Sequence, residues 1–134
     1  MNTGITPAPP SLDLSNATKL KAVEFHWNTQ DIQWITETLQ TVNSEHLQQI
    51  FVYVSTSFVH PVAETVKRGW QELDSLLIGL WTSRSIHPTV TFRRTSAQMF
   101  ARGFGSVLLP ELARRGGFDV VRGQDNCVEI VVTV

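Results

Sequence analysis

The single cysteine and the four histidines are the residues of this 134-residue chain with the most recognisable chemistry. A cysteine thiolate beside a histidine base makes a nucleophile, so Cys127 is a candidate with His26, His46, His60 or His87 as its base. No spacing links the cysteine to any of the four, and Cys127 begins an apolar stretch typical of a core strand. We therefore predict a structural role for Cys127 and no catalytic residue.

Other chemical patterns are equally weak. The histidines occur singly, without the paired spacing of metal ligands, so we predict no metal site. The stretch 102–106 has two glycines but lacks a phosphate-binding fingerprint, which predicts no nucleotide cofactor and favours a hinge between helical pieces. Glu72 and Asp74 are two residues apart and do not face each other on a helix. The sequence therefore predicts no cofactor and no enzyme.

The charge balance also limits the classes of partner. Eleven basic and twelve acidic residues leave a net charge of −1, and 42% of residues are hydrophobic. This balance predicts a globular domain that binds neither nucleic acid nor a membrane surface. The lone cysteine and the absence of a secretory leader or a long apolar run predict an intracellular protein, cytoplasmic or nuclear.

Hydrophobic periodicity predicts the elements that position these residues. Residues 1–11, with three prolines, are expected to be flexible, and 12–134 to form a single domain. Alternation at Ile50, Val52 and Val54 is typical of a strand, and the spacing of Ile32, Ile35 and Leu39 is typical of a helix. The predicted order is β-α-β-α-β-α-β-β: strands near 20–25, 47–54, 89–92, 118–121 and 127–134, with helices near 29–42, 61–82 and 106–115.

Local signals set the expected helix ends. Asn28 or Thr29 is expected to cap the first helix, and Pro61 to open the second. The second helix carries an apolar stripe, and Asp74 is expected to lie off it with the other charged residues. The segment 85–88 is expected to end that helix. The last two strands are expected to pair as a hairpin.

A repeated apolar template favours one architecture over another. Leu20-x-x-Val23-x-Phe25 recurs 27 residues later as Leu47-x-x-Ile50-x-Val52, a spacing within the roughly 20–29 residues of leucine-rich repeats. A weaker third copy begins at His87, 40 residues beyond the second. Two architectures compete, a small open α/β sheet and a strand–helix solenoid. The solenoid predicts that Phe25 and Val52 point into the core.

Five segments resemble the C-terminal part of leucine-rich-repeat proteins, above all the large group in mushroom-forming fungi, of which many carry an N-terminal F-box. The resemblance implies an α/β leucine-rich-repeat-like solenoid with a C-terminal capping hairpin, and a surface that binds a protein. No F-box is recognisable before Leu12, so recruitment of a ubiquitin ligase is not carried over. The resembling segments are WITETLQ (34–40), HLQQI (46–50), WQELDSLL (70–77), LWTSRSIHP (80–88) and LLPELARRG (108–116).

Three hypotheses for function follow. The first is a non-enzymatic protein-interaction module, because solenoids bind partners on the surface of their successive strands. The outward residues of the two full repeats, expected to form the contact patch, are Glu24, His26, Phe51 and Tyr53.

The second hypothesis is a small α/β enzyme with its site at the carboxyl ends of the strands, around Trp27, Ser55, Ser57 and Arg93. The third is a truncated remnant without an independent role. Trp27, just past the first strand, is also a candidate for an exposed aromatic rim beside His26.

Overall fold

A computed structural model of the chain describes residues 12–27, 32–55, 63–95, 107–122 and 128–133. The described elements follow the predicted order and confirm a mixed α/β protein. They are β1 (Ala22–Trp27), α1 (Gln33–Gln40), β2 (Gln49–Ser55), α2 (Glu64–Arg84), β3 (His87–Thr95), α3 (Pro110–Arg115), β4 (Gly117–Arg122) and β5 (Val128–Thr133).

The strands form one five-stranded mixed sheet in the order β1-β2-β3-β5-β4. The first three strands are parallel, and a helix joins each to the next, as a parallel connection requires. The last two strands pair with each other antiparallel, which confirms the predicted hairpin. It is β5 rather than β4 that lies beside β3, also antiparallel.

The register of the parallel strands confirms one repeat spacing and corrects the other. Ala22 pairs with Gln49, an offset of 27 residues, as the first two templates predict. Gln49 pairs with His87, an offset of 38 residues, so the predicted spacing of 40 is wrong. A slip of two residues leaves every side chain on the same face of its strand. The apolar pattern is therefore equally satisfied by both registers.

The core lies on one face of the sheet, beneath the three helices of the described residues. Phe25, Val52 and Val90 are neighbours across β1, β2 and β3, and all three are buried, as predicted for the first two. The helices pack on these positions in one layer, with Trp70 of α2 completely buried against Phe92 at a ring separation of 5.3 Å. Burial of such a side chain stabilises the fold by about 3 kcal/mol.

The segments that precede the parallel strands contact one another in turn. The backbone N–H of Gln48 donates to the carbonyl oxygen of Lys21 at 2.8 Å, and that of His87 donates to Gln48 at 2.9 Å. The buried Ser44 hydroxyl reaches the carbonyl oxygen of Leu20 at 2.7 Å. Leu20 and Leu47 thus occupy equivalent positions before β1 and β2.

The break predicted at 85–88 is confirmed, since helix α2 ends at Arg84, and the residue that follows it is left-handed. Ser85 has φ of 56° and ψ of 33°, and its N–H donates to the carbonyl oxygen of Trp81. The next N–H, from Ile86, returns to Leu80 at 3.4 Å. This turn allows β3 to begin at His87, so that Pro88 lies within the strand rather than before it.

The expectation that Asp74 lies away from the buried stripe is wrong. Its side chain is only 1% exposed, because it caps the first turn of α3 from the neighbouring helix. The N–H groups of Glu111 and Leu112 donate to its two carboxylate oxygens at 3.0 and 2.9 Å. Burial raises the pKa of the Asp74 carboxyl, and these two hydrogen bonds oppose the rise.

Several sequence predictions fall outside the described residues. These are the flexible segment 1–11, the caps at Asn28, Thr29 and Pro61, the hinge at 102–106, and the structural role of Cys127.

Candidate functional site on the outer face of the sheet

The face of the sheet opposite the helices carries the residues predicted to bind a partner. Successive side chains of a strand point to opposite faces, and on β1 and β2 the more buried positions alternate with these outward ones. On β3 the alternation is broken, because Thr91 lies on the outward side of the strand and is nevertheless buried. In register, Glu24 lies beside Phe51, and His26 beside Tyr53. We call seven residues the outer face: Glu24, His26, Phe51, Tyr53, Thr89, Thr91 and Arg93.

Tyr53 is the centre of the outer face. Its ring is nearly parallel to the imidazole of His26, with a centroid separation of 4.6 Å and an angle of 14° between the planes. The Phe51 ring lies 6.4 Å away along the same strand, also nearly parallel. The guanidinium carbon of Arg93 lies 4.5 Å from the centre of the Tyr53 ring, a cation–π contact.

The outer face has a charged group at either side of its aromatic centre. On β1, a carboxylate oxygen of Glu24 lies 3.9 Å from Nε2 of His26, and both side chains are 56% exposed. On β3, Arg93 is half-buried against Tyr53. A carboxylate, an imidazole, two aromatic rings and a guanidinium thus follow one another across three strands.

The physical reason for this surface is the composition of β2. Its aromatic and β-branched residues favour a strand, and the period of two sends Ile50, Val52 and Val54 inward. Phe51 and Tyr53 must then point outward, where they are only half-buried. Cross-strand aromatic pairs each stabilise a sheet by roughly 0.2–1 kcal/mol. The stacked pair of His26 and Tyr53 therefore favours aromatic rings at these two outward positions.

The predicted aromatic rim of Trp27 and His26 is wrong. The two residues are adjacent on β1 and therefore point to opposite faces. Trp27 packs under the helices, where its ring meets that of Trp34 edge to face at 5.4 Å.

The residues of the alternative enzyme site are only partly brought together. Ser55 and Arg93 are register partners at the carboxyl ends of β2 and β3. Trp27, at the corresponding end of β1, lies on the inner face. Ser57 lies outside the described residues.

A cleft that the sequence does not predict lies at the amino ends of β2 and β3. Its volume is about 520 Å³, and it opens beside Ser44, whose carbonyl oxygen accepts a hydrogen bond from Arg84. Its walls come from two segments that are distant in sequence and become neighbours because β2 pairs with β3. No local sequence motif therefore predicts the cleft. The lining residues are Glu45, His46, Leu47, Gln48, Gln49, Arg84, Ser85 and His87.

Within the described ranges, no group of three or more histidine, cysteine, aspartate or glutamate side chains is placed to hold a metal ion. Nor does any helix there have the length and apolar character needed to cross a bilayer. Comparison with family models, with curated proteins and with solved structures found no match to this chain.

Proposed function

We propose that this chain is a non-enzymatic protein-interaction module that binds a protein partner on its outer face. The observation that carries the proposal is the pair of aromatic rings, Phe51 and Tyr53, on a sheet face that none of the described helices covers. Aromatic side chains are the most frequent anchors of protein interfaces, and arginine is enriched beside them.

The arrangement around Tyr53 suits it to this role. Its ring already contacts His26 on one neighbouring strand and Arg93 on the other. A side chain that is fixed before binding loses less conformational entropy in the complex. The flanking Glu24 and Arg93 have opposite charge, so the matching partner surface is apolar at its centre, with a basic group facing Glu24 and an acidic group facing Arg93.

We further propose that the fold is a short leucine-rich-repeat-like solenoid, similar to the distal repeats of fungal F-box proteins. Contacts at a separation of one repeat support this. The N–H of Leu12 donates to Oγ1 of Thr38 at 2.9 Å, and that of Leu14 to Oγ1 of Thr41 at 2.8 Å. These pairs are 26 and 27 residues apart, close to the 27-residue offset of β1 and β2. In this proposal β4 and β5 form the C-terminal capping hairpin.

The test uses one variant of the outer face and one matched control. The first variant carries Phe51→Ala and Tyr53→Ala. The control carries Leu12→Ala and Val107→Ala, which remove exposed apolar side chains (56% and 40% exposed) elsewhere on the molecule. Both are compared with the wild type in affinity capture from cells that make the protein, followed by calorimetry with each purified partner.

We expect the outer-face variant to bind at least about 30-fold more weakly, since an interface anchor contributes roughly 2 kcal/mol or more. The control is expected to bind like the wild type. Equal binding by all three proteins would contradict the proposal. The same preparations test the remnant hypothesis, because a cooperative thermal transition of a monodisperse protein is incompatible with it.

A further inference from the structure

Strand β1 forms one edge of the sheet, and among the described strands only β2 pairs with it. An edge strand of six residues presents a row of backbone donors and acceptors to which another strand can be added. Proteins protect such edges or use them in assembly.

The direction of the backbone groups on β1 follows from one hydrogen bond. The carbonyl oxygen of Lys21 accepts from Gln48 and therefore points toward β2. Because peptide groups alternate along a strand, the N–H and C=O groups of Ala22, Glu24 and His26 point away from β2, toward the open edge. The side chains of these three residues are exposed.

We propose that the chain forms a symmetric dimer in which β1 pairs antiparallel with β1 of a second copy, about a two-fold axis at Phe25. In this register Glu24 of each copy lies opposite His26 of the other, so two carboxylate–imidazole pairs form. The imidazole donates to the carboxylate in either of its charge states. The outward N–H and C=O groups of Glu24 in one copy bond to those of His26 in the other, which gives two backbone hydrogen bonds in each pair. The two pairs together give four backbone hydrogen bonds between the copies.

Charge complementarity selects this register from its neighbours. Antiparallel pairing must keep outward groups opposite outward groups, so the axis of a symmetric register lies at a residue and not between two. The registers centred on residues 24 and 25 each pair five residues of the strand Ala22–Trp27, more than any other register. Centring on residue 24 places two Glu24 carboxylates opposite each other, which is destabilising. Centring on residue 26 opposes two histidines. The axis at Phe25 is the one that places Glu24 opposite His26.

The apolar side of β1 fits the same register. Val23 lies opposite Trp27 of the second copy, and both are half-buried in the single chain. Pairing covers these two side chains further and joins the two sheets into one, with both helix layers on the same side. This inference does not rest on the proposed function, because it needs no other protein.

The test measures the dimer dissociation constant by sedimentation equilibrium for wild type, Glu24→Lys, His26→Glu and the double variant Glu24→Lys/His26→Glu. The control is Glu72→Lys, the same charge reversal at an exposed position of α2. His26→Glu places two carboxylates opposite each other twice, and Glu24→Lys replaces both acceptors of the imidazole N–H by ammonium groups, so we expect dissociation constants raised about tenfold in each single variant. The double variant restores unlike pairs and is expected to return the constant to near the wild-type value.

A backbone variant tests the strand pairing itself. Glu24→Pro removes an N–H that points to the open edge and keeps the hydrogen bonds to β2. We expect a folded monomer, verified by circular dichroism; should this variant not fold, the charge-reversal series decides alone. A wild type that is monomeric at every accessible concentration, open-ended aggregates, or a dimer insensitive to all substitutions in β1 would each overturn the proposal.

Discussion

Replacement of Asp74 by alanine should destabilise the fold through a helix that does not contain it. Asp74 belongs to α2, but its carboxylate accepts hydrogen bonds from the first turn of α3. The residue before α3 is Leu109, whose side chain makes no capping hydrogen bond. Without Asp74 the two N–H groups lose their acceptor in a site that is buried at Leu112 and partly buried at Glu111.

The magnitude follows from these contacts. A buried N–H donor that loses its acceptor costs about 1 kcal/mol or more, and Asp74→Ala leaves two such donors. We therefore expect Asp74→Ala to lower the free energy of unfolding by about 2 kcal/mol, which corresponds to a fall in melting temperature of roughly 8 °C. Asp74→Asn keeps one acceptor oxygen and is expected to fall between alanine and wild type.

Urea denaturation followed by circular dichroism measures this loss as a lower midpoint at an unchanged slope. Hydrogen exchange adds a local readout, with faster exchange at Glu111 and Leu112. The control is Glu72→Ala, two residues earlier on the exposed side of α2, expected to change stability by less than about 0.5 kcal/mol. Equal stability of Asp74→Ala and Glu72→Ala would refute the capping role.

The pH dependence gives a second check on Asp74. Burial raises its pKa in the folded state above the ordinary value of 3.8, so the folded protein binds this proton more tightly than the unfolded chain. The resulting stability is complete below pH 3.8 and is lost as the pH rises through the folded-state pKa. The stability difference between wild type and Asp74→Asn should therefore shrink with rising pH. The comparison cancels the opposite effect of Glu111, whose pKa is lowered by its hydrogen bond from Arg114.

Four further substitutions test individual contacts by urea denaturation. The hydroxyl of Thr36 is buried without a hydrogen-bond partner, so Thr36→Val should stabilise the fold by about 1 kcal/mol, and a loss of stability would contradict this. Thr38→Val removes the acceptor of the Leu12 N–H and should destabilise by a similar amount, and an unchanged midpoint would show that this bond is dispensable. Ser85→Gly should stabilise by about 0.5–1 kcal/mol, because a left-handed backbone strains serine more than glycine, and a loss of stability would show that the serine side chain matters more than the strain. Ser44→Ala should lower stability by about 1 kcal/mol through the bond to the segment before β1, and an unchanged midpoint would show that this bond is dispensable.

Much of the fold was predictable because each strand and helix has its own apolar period. The alternation in β1 and β2 predicted both the inward Phe25 and Val52 and the outward Phe51 and Tyr53, and the structure places all four accordingly. The 27-residue offset was predictable too, because one template occurs twice with the same internal spacing.

Features that depend on contacts between distant segments were not predictable. The 38-residue offset of β2 and β3 differs from the predicted spacing by two, a change that a period of two cannot detect. Asp74 is charged, and only the position of α3 makes its burial favourable. Insertion of β5 between β3 and β4 has no local signal, since a hairpin attaches to a sheet through either of its strands.

That insertion has a consequence for the order in which the nascent chain assembles. β4 leaves the ribosome before β5, yet β5 is the strand through which β4 joins the rest of the sheet. The three parallel strands and their two connecting helices are synthesised earlier and have neighbours available at once. β4 must instead wait until Val128–Thr133 has emerged, and a premature stop between the two strands would leave the open side of β3 uncovered and β4 without its partner.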